Sequence, residues 1–250
     1  MLFCYYTVFE KNKNIFYLNV TPDSLIIQMT PYNIVGIVGF KSVGKDTVAD
    51  YLVQHYGFVK LSYASALKDV VSIVFGWDRQ MLEGDTPASR AWREQVDEYW
   101  NISPRQGLQK VGTDLFRQHL DPSIWIKCLH KKIVAILQSN PQARIVVTDC
   151  RFENEIRMIK EMQGTILHVR RFPEPDWLVE CMSKYHQHHH FTREMFQSTQ
   201  VHNSEWEHLL LKQTNPSLFD IDLLNKADVQ SLYTLIDTVF CHLQLDRMNL

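Results

Sequence analysis

Cysteine and clustered basic residues are both scarce in this sequence of 250 residues. Its five cysteines include no C-x-x-C pair, so the sequence indicates reduced thiols rather than a zinc site or a disulfide framework. No lysine or arginine block occurs and the formal net charge is −2, which argues against a nucleic-acid groove. No apolar run approaches the roughly 18 residues that a membrane-spanning helix needs. With no recognisable secretory signal, we expect a cytoplasmic protein without a nucleic-acid or membrane partner.

Length and composition indicate one compact domain that carries insertions. Of the residues, 45% are hydrophobic and 22% are charged, as in ordinary globular domains. We predict a single domain over 32–250. The preceding segment, 1–31, alternates apolar and polar residues and is predicted to be an accessory hairpin or an extension without an active-site role.

Two polar stretches, 77–102 and 172–200, are predicted to be insertions of that domain. In the first, Trp92, Val96 and Trp100 have helical spacing and are predicted to be packing residues. The second is predicted to be mobile. Its histidines are adjacent rather than spaced for one metal ion, so they are interpreted as a solvated segment.

A glycine-rich loop between a strand and a helix is the most informative local pattern. Residues 34–38 are apolar, and all of them except Gly36 are β-branched; a helical pattern starts after Lys45 and stops near Gly57. Between them, Gly39-x-x-x-x-Gly44-Lys45 has the spacing of a phosphate-binding loop. Glycines let backbone N–H groups face a phosphate, the helix start adds positive potential, and the lysine adds a mobile charge. We therefore predict a P-loop, against the alternative of an incidental glycine-rich turn.

The residue that follows Lys45 departs from the usual P-loop pattern. That position usually holds Ser or Thr, whose hydroxyl binds Mg²⁺. Here it is Asp46, with Thr47 next. Either the carboxylate reaches the ion, directly or through water, or Thr47 takes over, and both residues are candidate metal ligands.

Strands and helices alternate along the rest of the domain. A short strand at 58–62 precedes a helix at 64–75, and the apolar run 145–147 precedes a helix and a further strand at 165–169. This order predicts an α/β fold, a central parallel sheet with helices on both faces. Ligands of such sheets bind at the carboxyl ends of the strands, where the P-loop and Asp149 both lie.

Charged residues end the buried strand that contains 145–147. Asp149 and Arg151 flank its exit, and Glu155 follows four residues after Arg151. An acid at such a position can hold Mg²⁺ or orient a substrate, while an arginine can neutralise phosphate. The structural alternative is that Asp149 caps the next helix and Arg151 pairs with Glu155. The position of these residues in this sheet type favours function.

Other candidates are less distinctive on the residues alone. Gly112-Thr113 lies inside a helical pattern, where a glycine can admit a ligand or allow close helix packing, and the two interpretations are even. Lys68 is more easily interpreted as a surface lysine. Trp125 is predicted to be core or a stacking wall, and Lys127 could reach a phosphate.

Together these blocks resemble the bacteriophage-type deoxynucleoside monophosphate kinases, a P-loop nucleotide kinase family. In the order of that family, from about residue 33 to about residue 240, the chain contains Gly39-x-Lys41-x-x-Gly44-Lys45-Asp46-Thr47, Leu67-Lys68-Asp69, Leu108-Gln109-x-x-Gly112-Thr113-Asp114, Trp125-x-Lys127, Asp149-x-Arg151-x-x-x-Glu155, His168-Val169-x-Arg171, His202-x-Ser204-Glu205 and Asn225. In this family an aspartate after the P-loop lysine is ordinary.

The resemblance implies transfer of the γ-phosphoryl group of ATP to a deoxynucleoside monophosphate, with Mg²⁺, by a monomer or homodimer. It further implies a role in viral replication, and so the host cytoplasm if the source is viral. The ATP site that it implies consists of Gly39, Lys41, Ser42, Val43, Gly44, Lys45, Asp46, Thr47, Arg171 and Asn225. The monophosphate site that it implies consists of Lys68, Gln109, Gly112, Thr113, Trp125, Lys127, Asp149, Arg151 and Glu155.

For catalysis the resemblance implies Lys45, Asp149 and Arg151, with Arg90 or Arg93 as a lid arginine and with helical substrate-binding and lid insertions. Two alternatives stay open. One is a P-loop kinase for another small acceptor, such as dephospho-coenzyme A or phosphomevalonate, which the blocks around Gly112 and Trp125 match less well. The other is a nucleotide-binding module without catalysis. No preference for a base is indicated.

Overall fold

The structure is a computed structural model that describes residues 33–188, 190–199 and 201–242. The hairpin or extension predicted for 1–31 lies outside the described residues, as do the side chains at 184–189 of the histidine-rich stretch. Within the part of the chain that is described, no helix combines the length and the apolar character needed to cross a membrane.

Strands and helices alternate along the described chain, as the sequence predicts. The strands are β1 (Ile34–Val38), β2 (Phe58–Leu61), β3 (Arg144–Cys150), β4 (Thr165–Arg171) and β5 (Ile221–Asn225). The helices are α1 (Lys45–Tyr56), α2 (Ser65–Phe75), α3 (Pro87–Glu94), α4 (Pro104–Gln109), α5 (Ile124–Ser139), α6 (Glu153–Glu161), α7 (Asp176–His188), α8 (Arg193–Gln197), α9 (Asn203–Thr214) and α10 (Val229–His242). A π-helical segment, Lys110–Arg117, continues α4, and short 3-10 turns cover Met81–Glu83 and Pro216–Leu218.

The five strands form one sheet in the order β2-β3-β1-β4-β5. Strand β1 is parallel to both β3 and β4, with Val35 opposite Val146 on one side and Thr165 on the other. Strand β5 is parallel to β4. Because β1 lies between β3 and β4, the strand order reverses there, and ligands of such sheets bind outside the carboxyl end of the strand at this position. The predicted α/β class is confirmed.

By its contacts, the chain divides into two compact units, Met1–Lys60 with Asn140–Leu250, and Leu61–Ser139. In the first unit, Val35 and Ile37 of β1 are buried in a core that α1 and α10 share. Gly36 faces the opposite side of the sheet, where Ile159 of α6 approaches it. Complete burial of a residue such as Ile37 or Leu52 contributes about 1.5–3 kcal/mol to the free energy of folding.

Helix α1 ends where the sequence predicts. Gly57 has a φ of 70°, and its N–H donates to the carbonyl of Leu52, which closes the last turn. The side chains of Val48, Ala49 and Leu52 recur at helical spacing and are fully buried against the sheet. The start of α1 is therefore held firmly at the end of the loop that follows β1.

The segment 172–200, which the sequence predicts to be a mobile insertion, contains α7 and α8. Leu178, Cys181 and Phe196 from these helices are buried in the core of the first unit. These three side chains anchor the segment, while its role as a lid stays a prediction.

The second unit has a small core of Val71, Trp77 and Leu82. Its helix α4 starts as predicted, because Ser103 accepts a hydrogen bond from the N–H of Gln106 and Pro104 occupies the first turn.

For the predicted stripe of Trp92, Val96 and Trp100 in the second unit, the helical arrangement is wrong, but Trp92 does pack against the small core of this unit. Helix α3 ends at Glu94, since Gln95 is extended, and Val96 is 62% exposed. Trp100 lies in a turn and packs against Phe75. The Asp97 carboxylate stabilises this turn by accepting a hydrogen bond from the backbone N–H of Trp100.

Candidate active site

The loop between β1 and α1 requires glycine at position 39. Gly39 has a φ of 153°, and a Cβ built on it would lie only 2.3 Å from the carbonyl oxygen of Val169 in β4. Gly44, with a φ of 103°, is the N-cap of α1, and Ser42 between them has a φ of 66°. Val43 is buried beneath the loop. Strand, loop and helix therefore follow one another as the P-loop spacing predicts.

Lys45 is the first residue of α1 and its side chain turns back over the loop. The ammonium donates to the carbonyl oxygens of Gly39 at 2.8 Å and Phe40 at 2.6 Å. Burial, helped by the positive charge of Arg151, lowers the pKa of Lys45 from 10.5 to about 8, while nearby carboxylates, Asp149 included, oppose the shift. Lys45 and Asp149 thus interact electrostatically at the carboxyl ends of adjacent strands.

Arg151 follows directly after β3 and is held at both ends. Its Nη1 atom donates to Ser204 Oγ at 2.9 Å and to Glu205 Oε1 at 2.7 Å. Its backbone N–H donates to Glu155 Oε2 at 2.8 Å. The N–H of Phe152 donates to the same oxygen at 3.1 Å, so the buried Glu155 closes the first turn of α6. The alternative in which the Arg151 side chain pairs with Glu155 is therefore wrong, because the guanidinium faces α9 instead.

Glu205, in the first turn of α9, is the residue that sequence reasoning left without a role. Its Oε1 atom binds Arg151, and its Oε2 atom accepts from the backbone N–H of Lys41 at 2.6 Å. One carboxylate thus joins the P-loop to the arginine at the end of β3. The only signal in the sequence was its place in the block His202-x-Ser204-Glu205, because Glu205 is 164 residues from Lys41.

The candidate metal ligands lie in the first turn of α1. The Asp46 carboxylate is 78% exposed and forms an ion pair with Lys60 of β2 at 3.2 Å, while Thr47 is half-buried. Lys60 also pairs with Asp50 at 2.9 Å. Throughout the described ranges, no group of three or more His, Cys, Asp or Glu side chains is arranged to hold a metal ion.

Arg171 and Asn225, which the resemblance assigns to the adenine side of the ATP site, are neighbours. They are paired residues at the carboxyl ends of β4 and β5. Asn225 is buried, its carbonyl accepts from the N–H of Phe172 at 2.9 Å, and its side-chain oxygen accepts from the N–H of Ala227 at 3.1 Å. Arg171 is exposed at the same edge of the sheet as the P-loop.

In the second unit, Gly112 and Trp125 are in direct contact. The Trp125 indole N–H donates to the carbonyl oxygen of Gly112 at 3.0 Å, and the residue is only 4% exposed. A Cβ on Gly112 would lie 2.6 Å from Leu67 Cδ2, so α2 packs closely on this π-helical segment. Of the two predicted roles of Trp125, the structure shows a core residue that supports the Gly112 backbone. Thr113 beside it is exposed.

The remaining candidates of the second unit differ in how they are held. Lys68 forms an ion pair with Glu83, and its side chain is 12% exposed. Lys127 is 68% exposed and pairs with Asp121, and Gln109 is exposed at the end of α4.

The two candidate lid arginines of this unit also differ. Arg93 donates to the carbonyl of Glu83 at 3.2 Å, and burial lowers its pKa. Arg90 is exposed and donates to the carbonyl of Asp85 at 3.1 Å.

Comparison with known proteins gives related sequences of one kind. A family model described as deoxynucleotide monophosphate kinase matches residues 88–176. A protein of Acanthamoeba polyphaga mimivirus, named as a deoxynucleotide monophosphate kinase, is 34% identical over 148 residues that cover 55% of this chain and 74% of that relative. The deoxynucleoside-5'-monophosphate kinase of Escherichia phage T5 is 42% identical over 60 residues, which cover 24% of this chain and 22% of the phage protein.

Solved structures with a similar arrangement include several small kinases. A dephospho-CoA kinase from Campylobacter jejuni aligns with a TM-score of 0.41 at 15% identity, over 84% of this chain and 96% of that chain. A shikimate kinase from Acinetobacter baumannii aligns with a TM-score of 0.37 at 12% identity, over 84% of this chain and 94% of the other. Scores of this size support no conclusion about substrate or activity.

Proposed function

We infer that the chain, which belongs to the deoxynucleotide monophosphate kinase family, transfers the γ-phosphoryl group of ATP to a deoxynucleoside monophosphate and releases a deoxynucleoside diphosphate. Membership rests on the identity to the mimivirus relative, most of whose length this chain covers. The family implies ATP as the phosphoryl donor and nucleotides as small-molecule substrates.

The observation that carries this proposal is that one carboxylate, Glu205, joins the P-loop, which is followed by Lys45, to Arg151 at the end of β3. The charge of Arg151 helps to lower the pKa of Lys45, so the two groups repel each other. Like charges held together are costly unless anions offset them. The phosphates of a donor and an acceptor are anions of this kind, and a cation pair is what stabilises a migrating phosphoryl group.

The ATP phosphates would bind at the P-loop. Backbone N–H groups from Ser42 to Thr47 and the start of α1 would provide donors and positive potential for an anion. Lys45 would contact the outer phosphates with its ammonium, and the exposed Lys41 side chain could add charge at the same loop. Arg171 and Asn225 lie next to each other at the ends of β4 and β5, which supports the proposal that the adenine of ATP binds there.

For the acceptor we assign Asp149, Arg151 and Glu155 in the first unit, with Glu155 acting by holding the Arg151 backbone. In the second unit we assign a further set of residues on the strength of the family relationship. It consists of Lys68, Gln109, Gly112, Thr113, Trp125 and Lys127. Trp125 would act indirectly, by holding the Gly112 peptide through its indole hydrogen bond.

The reaction that these groups would support is a direct in-line transfer. An oxygen of the acceptor phosphate attacks the γ-phosphorus while the bond from that phosphorus to the β–γ bridging oxygen breaks, and ADP leaves with the bonding electrons. The attacking oxygen is already anionic, so no side chain must remove a proton. Catalysis then depends on positioning and charge neutralisation, with Lys45 acting on the migrating group and Arg151 on the acceptor.

Mg²⁺ would enter with ATP and, when bound, would neutralise charge on the phosphate oxygens. The residue types fit, since Mg²⁺ prefers oxygen ligands and needs few from a protein when phosphates and water supply the rest. Thr47 offers a hydroxyl. Asp46 offers a carboxylate that shares its charge with Lys60, so a role for Asp46 requires that ion pair to be shared or broken.

The experiment that tests the function is incubation of the chain with ATP, Mg²⁺ and each of the four common deoxynucleoside monophosphates. We expect ADP and a deoxynucleoside diphosphate in equal amounts with at least one of them. Dephospho-coenzyme A and phosphomevalonate serve as alternative acceptors. Phosphorylation of either one, with no diphosphate formed from any deoxynucleotide, would overturn the proposal.

A further inference from the structure

We propose that Glu205 is a positioning residue that fixes the Arg151 guanidinium against the P-loop and so sets the geometry of phosphoryl transfer. The proposal rests on the proposed function of Lys45 and Arg151. It adds a third side chain, which contributes to the reaction through Arg151.

The two carboxylate oxygens of Glu205 have separate partners. Oε1 binds Arg151 Nη1 at 2.7 Å, and Oε2 accepts from the Lys41 N–H at 2.6 Å. A carboxylate has two acceptor oxygens in a fixed plane, so it can hold a side-chain cation and a backbone donor at a defined separation. The Glu205 side chain is 18% exposed, and exclusion from water strengthens both contacts. Glu205 therefore connects the loop after β1 to the residue after β3.

The helix that carries Glu205 is built to present this carboxylate. His202 is the N-cap of α9, and its Nδ1 atom accepts from the N–H of Ser204 at 3.2 Å. Ser204 and Glu205 both lie in the first turn and both bind the same nitrogen of Arg151, at 2.9 Å and 2.7 Å. A negative charge in the first turn of a helix is favoured by the helix dipole. The first turn of α9 thus binds the guanidinium of Arg151 through two side chains.

These contacts restrict the conformations that Arg151 can adopt. Glu155 fixes its backbone N–H, and Ser204 and Glu205 fix its guanidinium. A long side chain that is fixed before the substrate binds loses less conformational freedom in the transition state. Mutations that shift such a group by about 1 Å can cost 100-fold in rate.

The charges around Lys45 and Arg151 also support a role for Glu205. Burial and the charge of Arg151 lower the pKa of Lys45, while Glu205, Asp46 and Asp149 raise it. Glu205 is in contact with Arg151, so it offsets the repulsion between the two cations where it arises. Removal of its charge should therefore let the Arg151 guanidinium move away from the P-loop.

The test compares Glu205→Gln with the wild type and with Glu207→Gln as a matched control. Glu207 is on the same helix but faces Arg193, 3.5 Å away, rather than the loop. We expect Glu205→Gln to lower kcat by about 10- to 100-fold while the KM for ATP changes by less than about three-fold. We expect Glu207→Gln to leave both unchanged. A folded Glu205→Gln enzyme with the kcat of the wild type would overturn the proposal.

A double-mutant cycle shows whether Glu205 acts through Arg151. If it does, Glu205→Gln should change kcat by less than about two-fold in an Arg151→Gln background, because the group that it positions is gone. Rate losses that multiply instead would assign Glu205 a role that is independent of Arg151 and would overturn the proposal.

A shorter carboxylate keeps the proposal testable where Glu205→Gln fails to fold. Glu205→Asp keeps the charge but cannot span both partners, so we expect a lower kcat than in the wild type. A folded Glu205→Asp enzyme with wild-type kcat would contradict a positioning role. Absence of any deoxynucleoside diphosphate with the wild-type enzyme is a different result, because it refutes the proposed function itself.

Discussion

Lys45 must carry a positive charge to attract phosphate, but it is buried next to another cation, Arg151, and both conditions disfavour that charge. Burial and Arg151 both disfavour its protonated form, and its pKa falls to about 8. The carbonyl oxygens of Gly39 and Phe40 hold the ammonium in place. A lysine with such a pKa is still charged at neutral pH but is close to losing its proton, which makes its charge a sensitive probe of the site.

We expect the kcat/KM for ATP to fall above pH 8, by about ten-fold for each pH unit, because the charged form of Lys45 is the one that attracts phosphate. The sign follows from the lowered pKa, since the proton is lost at about pH 8 rather than at 10.5. A pH profile of initial rates at low ATP concentration measures this. Lys45→Arg, which keeps its charge at all these pH values, should lose the alkaline limb. A profile that stays flat up to pH 10 would contradict the pKa assigned to Lys45.

Gly39 gives a second prediction at the level of one residue. Gly39→Ala places a Cβ against the Val169 carbonyl, which is backbone and cannot move aside without moving β4. We expect the free energy of unfolding to fall by about 1–3 kcal/mol and ATP binding to be lost. Gly76→Ala is the matched control, because Gly76 also has a positive φ, of 70°, but open space around it. Equal effects of the two changes in urea denaturation would show that the Gly39 contact is unimportant.

At the scale of elements, β4, β5 and α9 share a buried polar cluster beneath the site. His168 Nδ1 lies 2.8 Å from Asp222 Oδ1, and Lys212 of α9 contacts both residues. Burial lowers the pKa of His168 to about 4, and it also lowers the pKa of the neighbouring His208 well below its ordinary value. Burial alone would raise the pKa of Asp222, but the His168 hydrogen bond and the Lys212 charge bring it to about 2. These three elements are therefore tied by groups that respond to acid.

We expect the first unit to lose stability as the pH falls below about 6.5. His168 has a folded pKa near 4 and an ordinary value of 6.5, so the unfolded chain binds its proton first and the folded form is disfavoured across that range. At pH 5 this costs about 2 kcal/mol for His168 alone. Loss of the Asp222 contribution follows only at lower pH, from 3.8 downward, because its folded pKa is the depressed one.

Urea denaturation at pH 7 and pH 5 measures this effect. His168→Asn should reduce the difference between the two pH values by about 2 kcal/mol, whereas the exposed His119→Asn should leave it unchanged. A pH difference of the same size in wild type and His168→Asn would show that other groups are responsible.

Local patterns predicted the elements that carry their own signals. The apolar run of β1, the stop at Gly57 and the Ser103-Pro104 start of α4 all appear in the structure, since each depends on residues that are neighbours in the chain. Strand β5 was not predicted, although Ile221, Leu223 and Asn225 alternate inward. The π-helical form around Gly112 was missed as well, because it depends on contact with Leu67 and Trp125 rather than on local propensity.

At the scale of the whole molecule, the sequence predicted which residues end the strands but not how they are connected. Lys45, Asp149 and Arg151 were identified because strand ends and a loop motif mark them. The link through Glu205 could not be predicted, because it joins Lys41 to a residue 164 positions later and Arg151 to one 54 positions later. Such contacts depend on the order of strands in the sheet and on the placement of α9 over it. The block that contains Glu205 is part of the resemblance to the kinase family, but the resemblance implied no role for Glu205.

The most direct test of the whole account compares the wild type with Lys45→Ala. Both proteins are incubated with ATP, Mg²⁺ and a deoxynucleoside monophosphate, and the deoxynucleoside diphosphate is quantified by chromatography. We expect the wild type to form it and Lys45→Ala to form it at least about 100 times more slowly, because the charge on the migrating phosphoryl group is no longer neutralised. Equal rates for the two proteins, or no product from the wild type, would contradict the account.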